Sequence, residues 1–144
     1  MNKRGQAFTI FRFLVEAIIA LAVLLIIIAI IGHFEERKIE VSKKRFFDGF
    51  RSAFQSPNGD TIERTDLAFE SGFAITAGAF ARDVRMPAEC IGFIAPVSSA
   101  FSMPDVQAIK FHQSITTNVF YRCLKQFGAA CEIVCEVSIA QPFR

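Results

Sequence analysis

The chain contains no tryptophan, one tyrosine, two histidines and four cysteines in 144 residues. Two imidazoles, His33 and His112, and four thiols without a C-x2-C spacing exclude a Cys/His-rich metal module, so no metal and no cofactor is expected. A formal net charge of only +2 excludes the basic face of a nucleic-acid binder. No GxSxG, HExxH, Walker or GxGxxG pattern occurs, no catalytic residue is assigned, and enzyme activity is not expected. Internal repeats and low-complexity tracts are absent as well. Apolar residues make up 52% of the chain, which excludes intrinsic disorder. Those apolar residues are unevenly spread, and that unevenness decides the class.

From Phe13 to Gly32 the sequence reads FLVEAIIALAVLLIIIAIIG, with Glu16 its single charge. A helix of about 20 residues rising ~1.5 Å each spans roughly 30 Å, the thickness of a hydrocarbon core. Apolar side chains cover every face, so a chain of this size cannot bury it. A cleaved secretory signal wants small residues at the cut, and Ile30 stands in that place. The segment 13–32 therefore reads as a transmembrane helix. Lys3, Arg4 and Arg12 precede it; Arg37, Lys38, Lys43, Lys44 and Arg45 follow it, mixed with Glu35, Glu36 and Glu40. Counting Lys and Arg alone slightly favours a cytoplasmic C-terminal part.

The N-terminus, MNKRGQAFTIFRFLVEAIIALAVLL, resembles that of archaeal type IV prepilins, which carry class III signal peptides. The likeness lies in a short basic leader ending Lys3-Arg4-Gly5, then Gln6, then a long hydrophobic helix, and it covers roughly the first 35 to 50 residues. It implies a leader over 1–5, cleavage by a prepilin peptidase between Gly5 and Gln6, and a membrane helix retained in the product. It further implies partners: the membrane, identical or related pilin subunits, the peptidase and a filament assembly machinery. One departure stands out. Many type IV pilins carry Glu at the fifth mature position, where this chain has Ile10. Its acid is Glu16, ten residues after Gln6 and about 15 Å along the helix, out of reach of its own new amine. Two roles stand side by side: a local pair with Arg12, four residues earlier on the same face, and a pairing with the amine of a displaced neighbouring subunit.

Beyond Gly32 the stem HFEERKIEVSKKRFFDGFRSAF is charged and helix-compatible. Ile39, Phe46, Phe50 and Phe54 share one stripe, with Phe47 beside it. Glu35 with Lys38, and Glu40 with Lys44, have the spacing of helical ion pairs. Lys43-Lys44-Arg45 reads as a solvated face. Ser56-Pro57-Asn58-Gly59-Asp60 breaks the helix. One helix over 6–55 is predicted, with the Phe stripe packing under the C-terminal domain and other faces free for like helices.

Residues 56–144 form a small domain, marginal without reinforcement. Cys131 to Ile139 alternates with period two and reads as a half-buried strand, both cysteines facing inward. Phe73–Ala79 and Val106–His112 are weaker strand candidates, Ser114–Gln126 fits strand or helix, and Asp60, Glu63, Asp66 and Glu70 read as solvated acids. The fold class is α+β: a long N-terminal helix and a small antiparallel β-rich domain, pilin-like in outline. The candidate disulfide residues are Cys90, Cys123, Cys131 and Cys135. On one extended strand Cys131 and Cys135 lie about 13 Å apart and cannot bond. Two connectivities remain, and the short turn favours Cys123–Cys131 with Cys90–Cys135. Fully reduced core thiols are the alternative.

The expected function is a structural one: a major or minor subunit of an archaeal type IV pilus-like surface filament, with its domain outside the cell. The alternative is an uncleaved single-pass membrane protein whose domain serves a membrane complex as a binding or accessory part.

Overall fold

A computed structural model describes residues 3–128 and 130–143, with side chains from Ile10 onward. The chain is α+β and divides into two compact units, Met1–Arg37 and Lys38–Arg144. Helix α1 (Lys3–Gln55) supplies the first unit and opens the second. The predicted helix 6–55 is thus present, but the β-rich unit begins at Lys38 instead of residue 56. The stem folds with the domain.

In the first unit every described side chain from Ile10 to Arg37 is exposed. A run with so many apolar side chains and no cover from its own unit is unsuited to water and calls for cover by lipid or by other chains.

In the second unit α1 ends at Gln55 because Pro57 lacks the N–H a further turn needs and pushes Ser56 out of helical geometry. The chain continues as β1 (Asn58–Phe69), β2 (Ala74–Thr76), α2 (Ala77–Val84), a 3₁₀ turn (Ala88–Cys90) and β3 (Ile91–Ile94). Then follow β4 (Phe101–Asp105), β5 (Ala108–Phe111), β6 (Ile115–Lys125) and β7 (Ile133–Ile139). Two sheets result. A four-stranded sheet has the order β1-β6-β7-β3, and a three-stranded sheet has the order β2-β5-β4. The larger sheet is mixed: β1/β6 and β6/β7 are antiparallel, while β3 pairs with β7 in parallel. The small antiparallel β-rich domain expected from the sequence is present, with one parallel pairing added: α2 and the 3₁₀ turn carry the chain from β2 to the far edge of the large sheet, where β3 enters parallel to β7.

The strand candidate Val106–His112 is β5, and the ambiguous Ser114–Gln126 is β6. Phe73–Ala79 is only half a strand, because α2 begins at Ala77. β1 escaped the pattern reading: its acids obscure the alternation. Asp60, Glu63 and Asp66 point to solvent as expected, whereas Glu70 accepts a hydrogen bond from Lys43 Nζ at 2.6 Å. The ladder with β6 slips twice, once between Asn58 and Thr61 and once between Arg64 and Leu67. Asp66 adopts φ 55° at the second slip, a left-handed conformation that Asp tolerates better than most residues. Asn118 holds this bulge: its Oδ1 accepts from the Asp66 N–H at 3.2 Å, and its Nδ2 donates to Glu63 at 3.1 Å.

The core lies between the stem and the large sheet. Phe46, Phe50 and Ala53 are buried, with Phe47 and Phe54 at the margin, so the stripe packs as predicted. The Phe46 ring lies 5.1 Å from Phe80, 5.4 Å from Phe69 and 5.8 Å from Tyr121. Phe69 stacks on Phe111 at 4.5 Å, joining the two sheets. Helix and sheet meet most closely at Gly49. A Cβ there would stand 2.6 Å from the Tyr121 ring and 2.9 Å from Arg64 Cγ.

Gly49→Ala tests this contact. Alanine adds about 1 kcal/mol of helix propensity, but overpacking a core costs about 1–3 kcal/mol. The buried ring cannot swing away, so the substitution is expected to lower stability. Denaturant unfolding read from Tyr121 fluorescence measures it; a gain in stability would refute the tight approach.

Candidate functional site

Three features stand out from the ordinary packing: the exposed apolar helix, the cysteine pairs, and one buried hydroxyl.

The apolar helix qualifies as a membrane span by length and composition, with a mean hydropathy of 3.3 in its most apolar window and none of that window buried. Its one acid has a partner in its own chain. Arg12 Nε donates to Glu16 Oε1 at 2.9 Å, one turn apart. The local pair of Glu16 with Arg12 is thus formed within the chain. Holding the two charges together reduces the cost of carrying either into an apolar layer. At the other end of the span His33 Nε2 accepts from Arg37 Nε at 3.0 Å. The side chains around the expected processing site, Gly5 and Gln6, lie outside the described residues.

The four cysteines pair, but not as preferred from the sequence. Cys90 bonds Cys131 with an S–S distance of 2.06 Å, and Cys123 bonds Cys135 at 2.04 Å. Cys131 and Cys135 take different partners, as expected, although only Cys135 lies on the strand. The preferred assignment, Cys123–Cys131 with Cys90–Cys135, is overturned by the hairpin register. β6 and β7 close with Lys125 opposite Ile133, which sets Cys123 directly across from Cys135. Their Cα atoms are 4.1 Å apart, the close spacing of facing residues on neighbouring strands. β7 begins only at Ile133, so Cys131 lies before the strand and not on it. From that loop it reaches Cys90 at the end of the 3₁₀ turn. Cys123 and Cys135 therefore belong to one bridge, and replacing either breaks the same link.

His112 is not isolated: its Nε2 lies 2.7 Å from Ser102 Oγ on the exposed face of the small sheet. The contact ties β4 to the residue after β5. Arg51 ties α1 to α2 by donating to Asp83 at 2.7 Å; that bond, with the charge of Asp83, raises the pKa of its guanidinium. Among the described residues no three His, Cys, Asp or Glu side chains are placed to hold a metal ion.

The residue that sequence reasoning missed is Tyr121. It is fully buried on β6, and its hydroxyl has no hydrogen-bond partner. The signal was present in the alternation Val119, Tyr121, Cys123, inside a segment whose period read ambiguously. Burial pushes the phenol pKa well above its ordinary 10.0, and the nearby Arg64 charge only partly opposes this.

The consequence for pH follows from the direction of the shift. Below pH 10 the phenol stays protonated in both states and leaves stability unaffected. As pH rises past 10, only the unfolded chain releases the proton, so stability falls toward the raised folded value. Because Tyr121 is the chain's one tyrosine, phenolate absorbance is expected to rise only together with alkaline unfolding. Tyr121→Phe is expected to remove that alkaline loss and to add about 1 kcal/mol, by deleting an unsatisfied buried hydroxyl. Reversible phenolate formation in a folded domain at pH 10 would contradict the burial.

Comparison with protein-family models, with curated proteins and with solved structures finds no match to this chain.

Proposed function

We propose that this chain is a pilin-like subunit of an archaeal type IV surface filament, anchored before assembly by its apolar helix. One observation carries the reading: the Lys3-Arg4-Gly5-Gln6 motif stands just ahead of an apolar run whose side chains are uncovered from Ile10 to Ile31. A leader cut at that position leaves the helix on the product, which suits a subunit that must reside in lipid and then pack against its like. In lipid, helix association gains little from the hydrophobic effect and relies on close side-chain packing. The run of Ile, Leu, Val and Ala offers that packing on all sides. The role is mechanical, and the domain from Lys38 onward would be displayed outside the cell, where its two disulfides suit an oxidising setting.

A second reading, an uncleaved single-pass protein serving a membrane complex, is favoured by the Arg12–Glu16 pair. An acid satisfied within its own helix needs no neighbouring subunit.

The mature N-terminus separates the two. Mass spectrometry of protein taken from native membranes or filaments is expected to find chains beginning at Gln6, sedimenting with filaments. Gly5→Ile should leave full-length protein in the membrane and abolish filaments. Intact Met1 or Asn2 on the assembled protein would overturn the processing step.

A further inference from the structure

The two disulfides differ in surroundings more than in kind. Cys123 and Cys135 are sealed, 1% and 0% exposed, beneath the stem. Cys90 is 3% exposed, but Cys131 is only half-buried, and both line an open cleft of about 280 Å³ on the surface of the domain. Phe54, Met86 and Ile133 supply apolar walls, while Arg85 and Glu132 bring one charge of each sign. Arg85 sits at φ 58°, the left-handed residue that ends α2, and this directs the chain into the Met86-Pro87 wall.

We propose that Cys90–Cys131 is a thiol–disulfide exchange site, and that the cleft admits the thiolate of a dithiol reductant or of a dithiol oxidoreductase. The incoming thiolate attacks Sγ of Cys131, the more exposed of the two residues. The Cys90–Cys131 bond breaks as a mixed disulfide forms, and Cys90 leaves as a thiolate that takes a proton from water. The second thiol of the partner then attacks its own sulfur in the mixed disulfide and releases Cys131. Two electrons pass to the protein, and the partner departs as a disulfide. The apolar walls suit a short uncharged segment flanking the partner's cysteine, and Arg85 attracts the attacking thiolate.

Opening this bridge has a local effect. Gln126 N–H bonds the Glu132 carbonyl at 2.8 Å, and Cys123–Cys135 still clamps β6 to β7 below that point. What is released is the segment 130–132 ahead of β7 from the 3₁₀ turn and the short β3 edge behind it. The remaining core keeps its contacts. The domain thus carries one covalent latch that is fixed and one that can be worked from outside. This site belongs to the Lys38–Arg144 unit and stands whether or not the apolar helix assembles into filaments.

The test uses the full chain in detergent micelles. Native protein is treated with dithiothreitol for timed intervals, quenched with iodoacetamide and mapped by peptide mass. Cys90 and Cys131 are expected to be alkylated at least about tenfold faster than Cys123 and Cys135, which open only with larger unfolding. Once the first pair is reduced, tryptic cleavage after Lys125 should accelerate while Tyr121 stays protonated at pH 10.5. Met86→Trp, which fills the cleft, should slow reduction of Cys90–Cys131 several-fold and leave Cys123–Cys135 unchanged. Equal rates for the two bridges, or prior reduction of Cys123–Cys135, would overturn the assignment. Unchanged exchange in a folded Met86→Trp protein would overturn the cleft as the route of approach.

Discussion

Burial of Phe46 and Phe50 under the large sheet is the contact on which the rest of the Lys38–Arg144 unit depends. A sheet of four strands has two faces, and a domain this small cannot supply a second layer from its own short helix alone. α2 has eight residues and buries only Ala77, Phe80 and Ala81. The stem provides the missing layer, and Gly49 lets its backbone come close enough for the Tyr121 ring to fill the gap. The last turns of α1 are therefore a structural part of the domain. Cutting the chain at residue 56 would remove the residues around which Phe80, Phe69 and Tyr121 gather.

The disulfides reinforce different layers of this arrangement. Cys123–Cys135 joins strands already paired by backbone hydrogen bonds, so it closes a short loop of separation 12. Cys90–Cys131 has a separation of 41 and holds β3, whose ladder to β7 covers only four residues. In the chain-entropy view the longer loop constrains the unfolded chain more, by about 1 kcal/mol from 1.5RT times the logarithm of the length ratio. The bridge with the larger entropic share is also the one facing solvent.

Much of this was legible in the sequence, because the signals were strong where one period dominated. An uninterrupted apolar run and a Phe stripe at four-residue spacing gave the helix to within a few residues at each end. Alternation from Cys131 to Ile139 marked β7, two residues too early at its start. Where two demands met in one segment, the pattern blurred. β1 carries acids outward and two bulges, so its alternation loses phase at Asp66. Cys131 continues the apparent alternation of β7 by composition, yet the hairpin has already turned there; the strand boundary, and with it the disulfide assignment, is set by pairing across to β6. The parallel entry of β3 is a property of topology and leaves no local trace. Of the candidate site residues, Arg12 and Glu16 met as their spacing implied, and the four cysteines paired in the second of the two permitted ways.

The bulged edge of β1 has a further consequence, for how copies of the domain can meet. An exposed strand edge is a template for backbone pairing between molecules, and crowding makes such pairing faster. Here the edge is twisted by its bulges, studded with Asp60, Glu63 and Asp66, and occupied at Ala68 by the Ser42 hydroxyl, which accepts that N–H at 3.0 Å. The opposite edge, β3, is engaged through Phe93 N–H and the Val106 carbonyl at 2.9 Å. Neither border of the sheet invites a stranger's strand. On this sheet the borders favour contact through side chains over backbone pairing, which removes the template that cross-β growth needs there.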